Sequence, residues 1–130
     1  MRFLGIDYGA KRIGISLSDE RGKIAFPHSV LPNDRHIMER IKAVVSKEEV
    51  GAIVIGKSLD YRQKENPIMK DIRALKKRIE KEFMVRVYLE PEFLTSAQAR
   101  RARGRHGLLD ASAAAIILQS HLDRTANQEP

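Results

Sequence analysis

Hydrophobic and polar residues in the first third of the chain follow patterns typical of strands. Arg2–Ile6 is a short, largely apolar run, and Arg12–Ser18 alternates between polar and apolar residues. The turn-forming residues 9–11 lie between these runs, so we predict a hairpin. A third strand is predicted over Lys23–His28, and Pro27 indicates that this strand lies at a sheet edge or stops there.

Apolar residues recur at helical spacing in two central segments. The first segment follows the helix-start signal Pro32–Asn33–Asp34 and predicts a helix that ends at about Lys47. The second follows Asn66 and predicts a helix over Pro67–Lys81. The apolar positions that define the two helices are Ile37, Met38, Ile41, Val44 and Val45 in the first, and Ile68, Ile72, Leu75, Ile79 and Phe83 in the second.

Two further strands are predicted between and after these helices. Val50–Ile55 is continuously apolar and rich in β-branched residues, which indicates a buried strand of the parallel type. Met84–Leu89 alternates as a strand. Three meandering strands followed by alternating helices and strands predict an α/β fold. Its five-stranded mixed sheet has the first three strands antiparallel and helices on both faces.

The C-terminal third is predicted to be helical. Thr95 or Ser96 can cap a short basic helix that ends at about Arg103, and Asp110 can cap a last helix from Ala111 to about Arg124. We therefore expect one domain over residues 1–124, followed by a flexible tail over residues 125–130.

Composition narrows the class of protein. The chain has 130 residues, which suits one domain, and it lacks an apolar run approaching the ~18 residues of a membrane span. The absence of cysteine excludes disulfides, thiolate metal sites and cysteine nucleophiles. No secretory signal is visible, so a cytoplasmic location is expected. The 24 Lys and Arg against 17 Asp and Glu give a net charge of +7, which favours a polyanionic partner.

Three acidic residues lie where the strand ends of such a sheet form sites. Asp7 follows the first predicted strand, Glu92 lies just past the last, and Asp110 begins the final helix. The pattern leaves other interpretations open, because Asp110 could serve only as an N-cap and Glu90 is placed as well as Glu92. If the three carboxylates converge, Mg²⁺ or Mn²⁺ would relieve their repulsion, and bound metal could activate water for phosphodiester hydrolysis.

Basic residues near these acids are candidates for phosphate contacts. Asp7–Gly14 includes two glycines together with Lys11 and Arg12, a pattern that suits a phosphate loop but also a plain hairpin with solvated charges. Gly56 could let a substrate strand approach, with Lys57 as a second phosphate contact. The densest basic run consists of Arg100, Arg101, Arg103 and Arg105.

The nature of a nucleic-acid substrate follows from the aromatic content. Aromatic residues make up only 5% of the chain and are not interleaved with the basic residues, so a platform for stacking single-stranded bases is poorly supported. Recognition of the shape and backbone of a duplex or junction fits better.

Four segments together resemble the YqgF/RuvX-type family, described as candidate pre-16S rRNA nucleases and candidate Holliday-junction resolvases with an RNase H-like fold. The segments run from Leu4 to Gly14, from Ile53 to Gly56, from Glu92 to Ala99 and from Asp110 to Gln119. The resemblance implies catalytic and metal-binding roles for Asp7, Glu92 and Asp110, and it favours Glu92 over Glu90. This chain departs from the family at Pro91 and Phe93, where an acid and an arginine are usual.

Several functions remain compatible with this resemblance. It implies a metal-dependent endonuclease that matures the 5′ end of pre-16S rRNA, or one that resolves four-way DNA junctions. The first could act as a monomer, whereas the second would require a homodimer with two sites. Rival interpretations are a non-catalytic nucleic-acid- or ribosome-binding module, and half of a nucleotide-binding ATPase, for which the chain is short.

Overall fold

A computed structural model describes residues 1–58, 64, 67–92 and 108–126. The five strands are β1 (Arg2–Asp7), β2 (Arg12–Ser18), β3 (Ala25–Pro32), β4 (Val50–Ser58) and β5 (Arg86–Glu92). The three helices of the described residues are α1 (Ile37–Lys47), α2 (Met69–Phe83) and α3 (Leu108–Ala126). The predicted basic helix at 95–103 lies outside the described residues.

The strands form one mixed sheet in the order β3-β2-β1-β4-β5. Strands β1, β2 and β3 pair antiparallel, whereas β4 pairs parallel to both β1 and β5. The predicted mixed sheet is therefore confirmed. Strand β3 lies at an edge, but it does not stop at Pro27: it starts two residues later than predicted and continues to Pro32. Pro91 lies in the other edge strand, where only β4 pairs with it, so the missing N–H of proline is tolerated.

The two faces of the sheet are packed differently. On one face, α1 and α2 cover a large aliphatic core that includes Leu4, Ile6, Ile41, Ile53 and Ile72. On the other face, α3 lies across the sheet through a smaller cluster of Val54, Ile117, Leu118 and Leu122. The central strand β4 shows the alternation directly: Ile53 and Ile55 enter the larger core, whereas Val54 enters the smaller one.

Both β4 and β5 extend further than the sequence pattern predicts. The prediction ended β4 at Ile55, but Gly56, Lys57 and Ser58 continue it by pairing with Glu90, Pro91 and Glu92. Strand β5 starts two residues later than predicted because Met84 ends α2 in the left-handed conformation, with φ 56°. These boundaries depend on pairing between distant segments, which local hydrophobicity does not reveal.

The predicted helix starts were displaced by a few residues. Asp34 does not begin α1; its Oδ1 accepts a hydrogen bond from the His36 N–H at 2.9 Å, and the helix starts at Ile37. The predicted N-cap role of Asp110 is wrong, because α3 already begins at Leu108 and Asp110 lies in its first turn. At the other end α3 continues through Thr125 and Ala126, while residues 127–130 lie outside the description.

Helix α3 approaches the sheet closely because the residues beneath it are small. A Cβ on Gly5 would lie 2.8 Å from the Leu118 Cβ, and a Cβ on Gly14 would overlap the Asp110 carbonyl. The buried Ser16 donates a hydrogen bond through Oγ to the Ala114 carbonyl at 2.8 Å. Small residues on β1 and β2 therefore fix the height of α3 above the sheet.

Across the described residues, no helix is both long and apolar enough to cross a lipid bilayer.

The close seating of α3 predicts a strong effect of one added methyl group. Gly14→Ala should lower the free energy of unfolding by about 2 kcal/mol, because the new Cβ overlaps backbone atoms of α3 rather than a flexible side chain. Urea denaturation of the wild type and the variant measures the difference.

Gly51→Ala is the matched control. A Cβ at Gly51 would meet only the Met1 side chain, which can move aside, so stability should change little. Equal losses in the two variants would contradict the proposed constraint at Gly14.

Candidate active site

Asp7, Glu92 and Asp110 are brought to one edge of the sheet by three different elements. Asp7 is the last residue of β1 and Glu92 is the last residue of β5. Because β1, β4 and β5 run parallel, their carboxyl ends meet at the same edge. Asp110 approaches from the first turn of α3, beside Gly14, which pairs with Asp7.

Asp7 lies at the electrostatic centre of this group. Burial, followed by the negative charges of Glu92 and Asp110, raises the pKa of Asp7 to about 8. The effect of both neighbours indicates that the Glu92 and Asp110 carboxylates each lie close enough to Asp7 to repel its charge. The fold thus gathers negative charge where solvent is partly excluded.

Glu92 occupies space that glycine leaves open. Burial raises the pKa of Glu92 to about 6. A Cβ on Gly56 would lie 3.1 Å from the Glu92 Oε2 and 2.7 Å from the Ile117 Cδ1. Gly56 is buried beneath these two side chains, so the expectation that it admits a substrate strand is wrong; its role is to make room for Glu92 and Ile117.

Asp110 has a cationic partner in this structure. The Arg12 Nε lies 3.4 Å from the Asp110 Oδ2, and both side chains are partly exposed. The pair places a guanidinium at the rim of the acidic group. Sequence reasoning treated Arg12 only as a candidate phosphate contact and missed this ion pair, because it joins residues nearly a hundred positions apart.

Asn33 holds the loop that presents Lys11 and Arg12. Its Nδ2 donates to the Gly9 carbonyl at 2.8 Å, and its backbone N–H donates to the Lys11 carbonyl at 2.9 Å. Sequence reasoning assigned Asn33 to the start of α1 and did not connect it with this loop. Both Lys11 and Arg12 are exposed, so the loop displays two cations beside the acidic edge.

Lys57 is next in sequence to Ser58, the register partner of Glu92, but its side chain belongs to the opposite face of the sheet. Strand alternation groups it with Ile53 and Ile55, which face α1 and α2, whereas Gly56 faces α3. The structure therefore does not bring Lys57 to the side of the sheet where Glu92 lies.

The rival acid Glu90 is engaged elsewhere. Its side chain is buried and accepts hydrogen bonds from Ser120 at 3.1 Å and from Arg124 at 2.6 Å, while His121 lies at 3.1 Å. Burial alone would raise the pKa of Glu90, but the hydrogen bonds from Arg124 and His121 outweigh it and lower the pKa. Glu90 therefore fastens β5 to the C-terminal half of α3, and Glu92 is the carboxylate left at the strand end.

The carboxylate oxygens of Asp7, Glu92 and Asp110 are the type of ligand that a hard divalent cation prefers. Their side chains are not arranged around a single point. Among the residues that the structure describes, no group of three or more His, Cys, Asp or Glu side chains is arranged to hold one ion. Mg²⁺, however, is commonly held by one or two carboxylates, with waters and substrate phosphates as its other ligands. Three carboxylates, of which Glu92 and Asp110 both repel the charge of Asp7, supply oxygen ligands of this kind.

The arginine cluster predicted as a nucleic-acid contact cannot be located relative to this site. Arg100, Arg101, Arg103 and Arg105 lie outside the described residues. Their role stays a prediction.

The raised pKa of Asp7 predicts how the stability of the metal-free protein depends on pH. Between roughly pH 4 and 8, the folded protein keeps a proton on Asp7 that the unfolded chain has lost, so the free energy of unfolding falls as pH rises through this window. Asp7→Asn should remove most of that dependence. With EDTA at roughly pH 9 the variant should be more stable than the wild type by about 1–3 kcal/mol, a value reduced for partial solvent screening.

Asp19→Asn provides a control of opposite sign. Hydrogen bonds from the Lys23 and Ile24 backbone N–H groups lower the pKa of the exposed Asp19, so this variant should lose stability above the ordinary aspartate pKa. Thermal denaturation across the pH range compares both variants. Parallel curves for the wild type and Asp7→Asn would mean that Asp7 is not held among like charges.

Structural comparison identifies proteins with the same fold. Thermus thermophilus RuvC in complex with a Holliday junction substrate superposes with a TM-score of 0.62 at 20% identity, covering 97% of this chain and 96% of that one. The fowlpox virus Holliday junction resolvase gives a TM-score of 0.59 at 13% identity, covering 95% and 99%. At these identities the likeness shows the fold alone, which is the expected RNase H-like architecture.

Sequence comparison gives closer relatives. A protein of Anaplasma marginale, named as a candidate pre-16S rRNA nuclease, is 35% identical over 94% of this chain and 84% of its own length. A protein of Nitratidesulfovibrio vulgaris with the same name is 34% identical over 95% and 94%. The profile of the family described as "RuvX: Holliday junction resolvase" matches residues 1–124. The chain therefore belongs to the RuvX family.

Proposed function

We propose that this protein is a divalent-metal-dependent endonuclease that hydrolyses phosphodiester bonds in structured nucleic acid. The observation that carries the proposal is the meeting of Asp7, Glu92 and Asp110 at one sheet edge, where burial and mutual repulsion raise the pKa of Asp7 to about 8. Such an arrangement opposes folding at neutral pH unless a cation binds. The arrangement therefore fits a site built for a metal ion.

Each residue of the site has a distinct task in this mechanism. Asp7, Glu92 and Asp110 would hold Mg²⁺ or Mn²⁺, which when bound supplies a Lewis acid that activates the attacking water and stabilises the leaving oxygen. Lys11 and Arg12 would bind the phosphates on either side of the cleaved bond, since both are exposed on the loop that Asn33 braces. Arg12, whose Nε lies 3.4 Å from the Asp110 Oδ2, would place this positive charge at the rim of the site.

The first candidate substrate is the 5′ region of pre-16S rRNA, cut in the cytoplasm during ribosome biogenesis. The names of the relatives at about 35% identity support it. A single cut in one RNA strand would need only one site, so a monomer suffices. The cluster Arg100, Arg101, Arg103 and Arg105 would add further phosphate contacts.

The second candidate substrate is a four-way DNA junction. The family description and the superposition with RuvC bound to a junction favour it. Resolution requires two coordinated cuts, and hence a homodimer with one site in each subunit. A precursor rRNA and a synthetic junction, assayed in parallel, separate the two candidates.

Asp7→Asn tests the mechanism directly. With Mg²⁺, the wild type should cut at least one of the two substrates. The variant should cut it at least about a hundredfold more slowly, because it loses a charged oxygen ligand at the centre of the site. Binding of the same labelled substrate, measured by fluorescence anisotropy in EDTA, should persist in the variant.

Asp71→Asn is the matched control for this substitution. Asp71 is exposed in the first turn of α2, so the Asp71→Asn variant should cut the substrate at the rate of the wild type. If the wild type binds but cuts neither substrate with Mg²⁺, Mn²⁺ or any other divalent ion, the chain is a binding module and the proposal fails. Saturable binding of ATP would instead favour the nucleotide-binding interpretation.

A further inference from the structure

Three lysines form a line along the solvent-exposed side of α2. Lys70, Lys77 and Lys81 are all exposed, and at 100° per residue they lie within about 40° of one another around the helix axis. We call these three residues the α2 stripe. Ala74 lies between them, so no acidic side chain interrupts the stripe. The buried residues Met69, Ile72, Leu75 and Ile79 occupy the opposite side of the helix.

Acidic residues of α2 lie on its flanks and are largely paired there. Glu80 forms an ion pair with Lys76, with 3.1 Å between Oε1 and Nζ. Glu82 forms one with Arg78, with 3.9 Å between Oε1 and Nη2. By contrast, the α2 stripe makes no ion pair with any other residue that the structure describes. Helix α2 has six Lys and Arg against three Asp and Glu, so it contributes three of the seven surplus positive charges.

The stripe begins beside the edge of the sheet where the carboxylates meet. The Ser58 N–H donates to the Met69 Sδ at 3.2 Å, which ties the first residue of α2 to the end of β4. Ser58 is in turn the register partner of Glu92. Lys70, the first residue of the stripe, is therefore next in sequence to Met69, which contacts the end of β4 beside Glu92.

From these observations we propose that the α2 stripe binds the phosphate backbone of the nucleic acid on which the site acts, at a distance from the cleavage point. From Lys70 to Lys81 the stripe covers 12 residues, or about 16 Å of helix. That length matches about five phosphates along one strand of a duplex. A backbone that crosses the sheet edge can continue along α2, where the three ammonium groups neutralise its charge.

Charge complementarity selects this occupant over a second copy of the same face. Two α2 stripes packed together would place six lysine ammonium groups against each other without acids between them, which is unfavourable. A polyanion, in contrast, gains from each ammonium group by releasing condensed counterions. The inference rests on the proposed function for the identity of its ligand but not for its test, which needs no cleavage.

The test compares two double variants of the same helix with the same change in net charge. Lys77→Gln with Lys81→Gln removes two members of the stripe, whereas Lys76→Gln with Arg78→Gln removes two flanking cations. Glutamine keeps the helix propensity of lysine. Each protein is titrated in EDTA against two fluorescein-labelled RNA duplexes, one too short to reach α2 from the site and one long enough to cover it.

On the long duplex, we expect the stripe variant to lower the slope of log K against log salt by about 2, one for each lost phosphate contact. The flanking variant should keep the slope of the wild type. On the short duplex, all three proteins should bind alike. Thermal denaturation confirms that the variants are folded, which is expected because all four positions are on the outside of α2 or its margin.

The outcomes separate the stripe from the active site. Equal slopes for the two double variants on the long duplex would overturn the inference, since net charge alone would then explain binding. So would equal losses on the short and long duplexes. If the stripe behaves as expected but the wild type cuts neither precursor rRNA nor junction DNA with any divalent ion, the proposed nuclease activity fails while the binding surface stands.

Discussion

The close contact between α3 and the sheet is the constraint on which the site depends. Gly5 and Gly14 have no side chain to hold the helix away, and Ser16 fastens it through the Ala114 carbonyl. Because Asp110 lies on the first turn of α3 while Asp7 ends β1, the height of the helix sets the separation of these two carboxylates. A larger residue at either glycine would move Asp110 away before it disturbed the aliphatic core on the other face.

The two glutamates at the end of β5 have the same side chain but different surroundings, and their pKa values shift in opposite directions. Glu90 is buried among Ser120, His121 and Arg124, so its charge is compensated and it stabilises the contact between β5 and α3. Glu92, two residues later, has a raised pKa and lies in the space beside Gly56. The hydrogen bonds of Glu90 anchor β5 to α3. They thereby hold in place the last residue of that strand, Glu92, whose charge has no such partners among the described residues.

Positive charge is arranged around this acidic edge at two distances. Arg12 lies against Asp110 and Lys11 is on the same loop, so cations occur at the rim itself. Lys70, Lys77 and Lys81 lie further away on α2, on the side of the sheet opposite α3. An acidic centre with cations near and far suits a long polyanion, because the centre needs metal whereas the surroundings need only phosphates.

The sequence by itself determined the class of fold and the candidates for the site. Apolar runs, alternation, helical spacing and turn or cap residues indicated all eight described elements, although several ends were displaced. Resemblance together with the predicted positions at strand ends and at the start of the last helix selected Asp7, Glu92 and Asp110. Tertiary structure decided what depends on distant contacts: the extension of β4 and β5, the pairing of Arg12 with Asp110, and the different fates of Glu90 and Glu92. Local pattern records which side of an element is apolar, but pKa values and ion pairs depend on residues that only folding brings together.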